Sequence, residues 1–131
     1  MAVRLSDMFL GIDIGTGSSK AVLADAEGQV LDSATVTHDV DYPRPGWAEF
    51  DAESGAWAEV VRLCQELFSR NDAGAVAGMC VSAMGPSLVV TDENLTPLRP
   101  AILYGIDARA VVEIRELTEE LGAEAIFRDA G

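Results

Sequence analysis

The residues best suited to chemistry in this chain lie in one short segment near its start. A carboxylate, Asp13, stands inside the apolar run 9–14. Small, hydroxyl-bearing and basic residues follow it directly: Gly15, Thr16, Gly17, Ser18, Ser19 and Lys20. Because burying an unpaired charge is costly, an aspartate in a strand predicted to be buried indicates a ligand, a metal or a hydrated metal beside it. Glycines let backbone N–H groups approach an anion closely, so the segment predicts a phosphate-binding hairpin with an acidic metal anchor.

Spacing excludes two better-known glycine loops. A Walker-type loop has a glycine, four intervening residues and then Gly-Lys-Ser/Thr, and Gly15 and Lys20 do not fit that spacing. The dinucleotide fingerprint needs a third glycine where Lys20 stands, followed by a helix, whereas residues 20–25 predict a strand. The loop therefore joins two strands, and a hairpin tip would hold the phosphate. An ordinary Gly/Ser hairpin turn with a chance aspartate is the open alternative.

The surrounding segments predict an α/β domain that begins with three antiparallel strands. A turn composition at 25–28 separates the second strand from a third at 29–37. Asp51 is a good N-cap for a helix, and the apolar run 76–82 predicts a buried strand parallel to the first. Ligands bind outside the carboxyl ends of such strands, which places the hairpin at a cleft. The predicted buried stripe of the helix comprises Trp57, Val60, Val61, Cys64, Leu67 and Phe68.

The second half predicts one more strand and one more helix. Residues 88–91 predict the strand, with a turn at 92–94. Asp107 is the natural N-cap of the helix, and Gly122 is its predicted C-cap. The predicted buried stripe of this helix comprises Ala110, Ile114, Leu117 and Leu121.

Three segments in order resemble the FGGY family of carbohydrate kinases, within the actin, chaperone and sugar-kinase ATPase superfamily. Residues 13–20 are similar to the first phosphate motif. Residues 45–51, Pro-Gly-Trp-Ala-Glu-Phe-Asp, are similar to the family's Gly-Trp-x-Glu-x-Asp segment. Residues 98–104 and 107–109 resemble its Pro-Ala-Ile-Leu-Trp and Asp-x-Arg region. The resemblance runs from about residue 9 to 131.

The resemblance implies a ribonuclease H-like fold, with a mixed sheet that starts with a three-stranded antiparallel meander. Family members are several times longer than this chain, so we expect a partial domain. Residues 1–7 would be an N-terminal extension, and 8–131 the N-terminal part of the first kinase domain. The parent protein would phosphorylate a small sugar or polyol hydroxyl with ATP. Its catalytic aspartate is expected beyond residue 131, so the fragment alone would be inactive.

The same resemblance implies site residues. Asp13 would hold Mg²⁺ through water. The nucleotide phosphates would be bound by Gly15, Thr16, Gly17, Ser18, Ser19 and Lys20. The sugar would be bound by Met84, Gly85, Pro86, Asp107, Arg109 and Glu49. At 84–86 this chain departs from the family, where xylulose kinases show Gln-Met-His and glycerol kinases Gln-Arg-Glu. The absence of a polar side chain there argues against glycerol and weakens xylulose.

The net charge of the chain limits the kinds of molecule that it is expected to bind. The 131 residues carry 22 acidic and 9 basic side chains, a net charge of −13. This disfavours nucleic acid, whose phosphates are held by Lys and Arg, and implies a divalent cation if ATP binds. Lys20 is the single lysine. Its ammonium suits phosphate as a compact point charge, and an ordinary surface lysine is the alternative.

Apolar runs and cysteines predict a cytoplasmic protein that binds no membrane. No run approaches the ~20 residues that span a bilayer, and the start of the chain lacks a secretory pattern. Cys64 and Cys80 form neither a disulfide framework nor a zinc site, and both are predicted to be small core residues. A homodimer is an open expectation.

Two other function classes remain open. One is a non-catalytic actin-like or chaperone-like nucleotide-binding module, against which segments 47–51 and 107–109 count. The other is a degenerate sugar-binding scaffold, which the apolar loop 84–86 favours.

Overall fold

A four-stranded sheet with a helix on one face forms the frame of the computed structural model, which describes residues 7–130. The strands of these residues are β1 (Met8–Ile14), β2 (Ser18–Ala24), β3 (Val30–Thr37), β4 (Glu49–Phe50), β5 (Val76–Ala83) and β6 (Ala101–Ile102). The main sheet has the order β3-β2-β1-β5, and β4 pairs with β6 in a separate short ladder. The predicted extension, residues 1–7, lies outside the described residues except for Asp7.

The sheet has the predicted topology. Strands β1, β2 and β3 form an antiparallel meander, and β5 lies parallel to β1 on its other side. Parallel strands need a long crossover connection, which here runs from residue 38 to 75. The carboxyl ends of β1 and β5 therefore meet at one edge. There the Met84 N–H donates a hydrogen bond to the Ile14 carbonyl at 3.3 Å, so loop 84–86 starts beside the hairpin.

The crossover contains the helix predicted after Asp51. A π-helical turn, Ala52–Trp57, leads into α1, Ala58–Phe68. The Asp51 carboxylate accepts hydrogen bonds from the N–H groups of Glu53 and Ser54 at 3.0 and 2.6 Å. These bonds satisfy N–H groups that the first helical turn leaves free, and the predicted N-cap is confirmed.

Two further helices, α2 (Val111–Leu121) and α3 (Ala123–Ala130), end the described chain. Gly122 ends α2 with a φ of 82°, a conformation that glycine adopts without strain, so the predicted C-cap is confirmed. The predicted N-cap is wrong. The N-cap position of α2 is Ala110, and Asp107 lies before it because a distant backbone N–H holds its carboxylate, as described below.

The main core lies between α1 and the meander. Leu23, Leu63 and Leu67 have no exposed surface, and burying side chains of this size stabilises the fold by roughly 1.5–3 kcal/mol each. The other buried members are Leu10, Ile12, Ala21, Ala34 and Val36. The strand members alternate along β1, β2 and β3, so the opposite face of the meander points away from α1.

A second, smaller core lies beyond the hairpin. Ala48, Phe50 and Leu103 are buried together, and Met84 packs against them. The cluster joins the β4 segment to β6 and to the loop after β5. It therefore links the end of the main sheet to residues 101–109.

The predicted burial of β5 is wrong. Met79 is 64% exposed and Val81 50% exposed, because α1 packs over β2 and β3 and leaves β5 uncovered at the edge. Cys80 is also exposed and Cys64 is half-buried, so the prediction of two core cysteines is wrong for Cys80. The strand itself and its pairing with β1 are confirmed.

Three other predictions in this chain are wrong. The α2 stripe is exposed, with Ile114, Leu117 and Leu121 each more than half accessible. Trp57 is 64% exposed, because it falls at the end of the π-helical turn. Residues 88–91 form only single bridges, at Leu88 and Thr91. Among the described residues, no helix combines the length and apolar content needed to cross a bilayer.

Candidate functional site

The hairpin between β1 and β2 is a three-residue turn. The Gly15 N–H donates a hydrogen bond to the Ser18 carbonyl at 3.0 Å. A Cβ at Gly15 would lie 3.1 Å from that carbonyl oxygen, a close approach that favours glycine. A Cβ at Gly17 would meet nothing within 4 Å. Within residues 7–130, no hydrogen bond uses the N–H of Thr16 or Gly17, so two donors border open space.

Asp13 lies on the sheet face opposite α1. Its neighbours in register are Lys20 on β2 and Ser82 on β5. A Cβ at Gly15 would lie 3.8 Å from Asp13 Oδ2, so the carboxylate reaches towards the hairpin. Asp13 and Lys20 are both exposed. The predicted burial of Asp13 is therefore wrong. Because the carboxylate is exposed to water, its charge needs no compensating partner in the fold.

Ser19 does not join the other hairpin side chains. It is fully buried on the α1 face, and its hydroxyl donates a hydrogen bond to Glu59 Oε2 at 2.6 Å. Alternation along β2 puts Ser18 and Lys20 on the opposite face. The expected contact of the Ser19 hydroxyl with phosphate is incompatible with this placement.

Sequence reasoning missed His38 and Glu59, which lie directly behind the hairpin. His38 Nε2 is 3.0 Å from the Gly15 carbonyl oxygen, and Nδ1 is 2.9 Å from Glu59 Oε2. One signal was available: Glu59 precedes Leu63 and Leu67 at four-residue intervals, so it occupies the buried stripe of α1. A carboxylate there requires polar partners.

The predicted sugar residues Glu49, Asp107 and Arg109 form an ionic cluster. The Asp107 carboxylate accepts hydrogen bonds from the Arg109 guanidinium at 2.7 Å and from the Ala48 N–H at 2.7 Å. Arg109 Nη1 lies 2.9 Å from Glu49 Oε1. The Arg109 guanidinium, followed by the backbone N–H donors, holds the pKa of Asp107 well below its usual range. Asp107 is therefore a charged anchor for the segment that precedes β4.

The cluster extends to an aromatic ring and two more arginines. The Arg109 guanidinium lies 4.0 Å from the Trp47 ring centroid, and the Arg44 guanidinium lies 4.7 Å from it. Arg99 also bonds to Glu49. Cation–π contacts and paired charges together hold these side chains in fixed positions. Trp47 thus fastens its loop to Arg109.

Loop 84–86 meets the second core from the hairpin side. Met84 is half-buried against Ala48 and Phe50, while Gly85 and Pro86 are exposed and joined by a cis peptide bond. The Ser87 hydroxyl donates to the Met84 carbonyl at 3.1 Å. The core that Met84 packs against therefore includes Ala48, whose N–H is bonded to Asp107. The structure brings both predicted groups to the same small core.

The described residues form the first elements of a ribonuclease H-like sugar-kinase fold. These elements are the meander with its acidic hairpin, the helical crossover and the parallel strand. The crystal structure of xylulose kinase from Rhodospirillum rubrum superposes with a TM-score of 0.84 at 32% identity, covering 92% of this chain and 25% of that one. The ligand-bound xylulose kinase from Lactobacillus acidophilus, at 24% identity, has the same fold with a TM-score of 0.86, covering 95% and 25%.

The chain belongs to the FGGY family of carbohydrate kinases, whose N-terminal domain model matches residues 8–131. A xylulose kinase from Staphylococcus xylosus is 31% identical over 121 residues, which are 91% of this chain and 24% of the relative. A glycerol kinase from Staphylococcus epidermidis is 32% identical over 123 residues, 92% and 24%. The chain thus spans about a quarter of the length of these relatives.

Proposed function

We propose that the whole protein transfers a phosphoryl group from ATP to a hydroxyl of a small sugar or polyol, and that this chain supplies its phosphate hairpin. One observation carries the proposal: at the hairpin of this FGGY-family chain, beside Asp13, the N–H groups of the exposed residues Thr16 and Gly17 make no hydrogen bond within residues 7–130. Residues 8–131 would be the N-terminal part of the first kinase domain, with 1–7 as an extension. The catalytic aspartate would come from the rest of the protein.

The hairpin would bind phosphate oxygens through the Thr16 and Gly17 N–H groups, assisted by Gly15, the Ser18 hydroxyl and the Lys20 ammonium. Ser19 would act from behind, through its bond to Glu59. Positioning and charge neutralisation dominate phosphoryl transfer, so these groups need no covalent chemistry.

Asp13 fits a hydrated Mg²⁺. Magnesium keeps several waters and takes only one or two carboxylates besides substrate phosphates. Residues 7–130 hold no cluster of three or more acidic, His or Cys side chains that could enclose a metal, whereas Asp13 is a single hydrated carboxylate at the hairpin. The ion would neutralise phosphate charge, which a chain of net charge −13 requires.

The sugar side would be formed by loop 84–86 and the ionic cluster. The bonds among Glu49, Asp107 and Arg109 support a role in holding the 46–49 loop beside the substrate. Gly85 and Pro86 would offer backbone and apolar contacts, since neither has a polar side chain. We also place the kinase in the cytoplasm, and a homodimer would be checked by its mass in solution.

A degenerate sugar-binding scaffold is the second candidate. Met84 points into a core instead of offering a hydrogen bond, and it stands where xylulose and glycerol kinases have polar residues.

The deciding experiment measures ADP release by the whole protein with Mg-ATP and a panel of ketopentoses, aldonates and polyols. Release that depends on one sugar supports the kinase and identifies its substrate. Release without sugar supports an ATPase module instead. Bound Mg-ATP without release supports the scaffold.

The Asp13→Ala variant tests the metal anchor. Its phosphoryl transfer should be abolished while its fold, followed by circular dichroism, is retained, because Asp13 is exposed and makes no core contact. Glu27→Ala, an exposed carboxylate in the next turn, is the matched control and should keep normal turnover. Near-normal turnover by Asp13→Ala would rule out the anchor role.

A further inference from the structure

A buried polar chain connects the hairpin to α1. The side chains of His38 and Glu59 are only 8% and 10% exposed. His38 contacts the Gly15 carbonyl through Nε2 and the Glu59 carboxylate through Nδ1. Glu59 Oε2 also accepts from the Ser19 hydroxyl at 2.6 Å. The roles proposed above leave the imidazole unexplained.

The hydrogen-bond acceptors around the imidazole of His38 determine which bonds its ring nitrogens donate. A backbone carbonyl can only accept a hydrogen bond, so Nε2 carries a proton and donates to Gly15. The Nδ1–Glu59 contact holds the ring in the orientation that aims Nε2 at the turn. The Phe50 ring lies against the imidazole with a centroid distance of 4.5 Å. From the position after β3, the one ring thus reaches both Gly15 and Glu59.

The hairpin is thereby tied down at three points. Gly15 is held by the imidazole, Gly17 by the His38 N–H, which donates to its carbonyl at 3.2 Å, and Ser19 by Glu59. The carbonyls of Gly15 and Gly17 are thus bonded within the fold, whereas the N–H groups of Thr16 and Gly17 make no hydrogen bond within residues 7–130. These are the donors that would meet phosphate.

We infer that His38 is a positioning residue for phosphate binding, which fixes the direction of the hairpin donors through the Gly15 carbonyl. This inference rests on the proposed function for its consequence in catalysis, but the clamp itself is a property of the hairpin. His38 touches neither nucleotide nor sugar and acts through the backbone.

Two isosteric variants separate the contacts of the ring. In His38→Gln the amide nitrogen replaces Nε2, so the Gly15 bond is kept. In His38→Asn the amide nitrogen replaces Nδ1, so only the Glu59 contact is kept. Both variants lose the ring and its packing on Phe50, so their comparison cancels that loss and sets the bond to Gly15 against the contact with Glu59.

Hydrogen exchange on the whole protein, read on peptides that cover the hairpin and on β1 as a reference, tests the clamp. We expect the amides that are hydrogen-bonded at the hairpin, those of Gly15 and of residue 38, to exchange roughly tenfold faster in His38→Asn than in His38→Gln, the effect of one buried hydrogen bond. Equal exchange in the two variants would overturn the inference. If His38→Asn does not fold, NMR of ¹⁵N-histidine in the native protein decides: a slowly exchanging Nε2 proton, assigned by its loss in His38→Gln, supports the clamp, and a freely exchanging one overturns it.

Kinetics on the same variants separate the clamp from the proposed function. We expect the KM for Mg-ATP to rise roughly tenfold in His38→Asn and less in His38→Gln, with the KM for sugar unchanged. An equal rise in both variants would contradict a positioning role. If the native protein turns over no sugar, the proposed kinase function fails, and the exchange result still decides whether His38 clamps the hairpin.

Discussion

Gly55 lies where any side chain would collide with the small core behind the hairpin. A Cβ added there would be 2.8 Å from Phe50 Cζ, and 3.1 and 3.2 Å from the two Cε atoms. Non-bonded carbons prefer about 3.5–4.0 Å, so in Gly55→Ala the Phe50 ring must retreat by roughly 0.7 Å. The Phe50 ring has little room to move, because it also contacts the His38 ring at a centroid distance of 4.5 Å.

Two opposing effects determine how much Gly55→Ala changes the free energy of unfolding. Overpacking a filled core costs about 1–3 kcal/mol, whereas replacing glycine by alanine in a compatible backbone stabilises by about 0.4–1 kcal/mol through the unfolded state. The collision wins, and we expect Gly55→Ala to lose about 1–2 kcal/mol. The measurement is urea unfolding followed by far-ultraviolet circular dichroism. Helix propensity alone predicts the opposite sign.

A matched glycine and a double variant complete the test. Gly17→Ala, with open space around its new Cβ, should change stability by less than about 0.5 kcal/mol. Phe50→Leu replaces the ring by a smaller side chain, so it should reduce the stability that Gly55→Ala loses. The expected coupling between the two substitutions is at least about 0.5 kcal/mol. A Gly55→Ala protein as stable as the native one, or an additive double variant, would refute the steric reasoning.

Two further predictions concern the main core and its rim. Leu63→Ala should cost about 2–5 kcal/mol of unfolding free energy in urea titration, since Leu63 is fully buried; a cost below 1 kcal/mol would show that α1 is not held on the meander at this site. At the rim, hydrogen bonds from Arg70 and then Asn71 lower the pKa of Asp32 to about 2. A lowered folded-state pKa contributes stability above the unfolded value of about 3.9, which is lost as pH falls through the folded value. The urea midpoint of the native protein should therefore drop towards that of Asp32→Asn between about pH 4 and pH 2, and a pH-independent difference would contradict this linkage.

Local patterns made the hairpin and the meander predictable from sequence. The glycine-rich turn at 15–17, the turn composition at 25–28, the Asp51 cap and Gly122 act over a few residues, and the elements that they predicted are confirmed. Asp107 was misjudged because a capping role can be read locally, whereas its actual partner, the Ala48 N–H, is distant in sequence. His38 escaped notice for the same reason, since its partners Gly15 and Glu59 are distant in sequence.

Periodicity predicted burial less well than it predicted secondary structure. The apolar stripe of α2 has helical spacing, and α2 is a helix, yet Leu117 and its neighbours are exposed. A pattern shows which face of an element is apolar, but the covering surface must come from elsewhere. Asp13 is the converse case, since its apolar neighbours suggested a buried strand while alternation places it on the uncovered face.

The order of elements in the main core has a consequence for protein synthesis. Its buried members all lie between Leu10 and Leu67, so the meander and α1 contain what they need to pack before β5 leaves the ribosome. Domains fold from the N-terminus during synthesis, and contacts between nearby residues form early. We therefore expect the β1–β2 hairpin to be assembled on its helix while residues 84–109 are still being translated, with β5 added to the edge of an existing sheet.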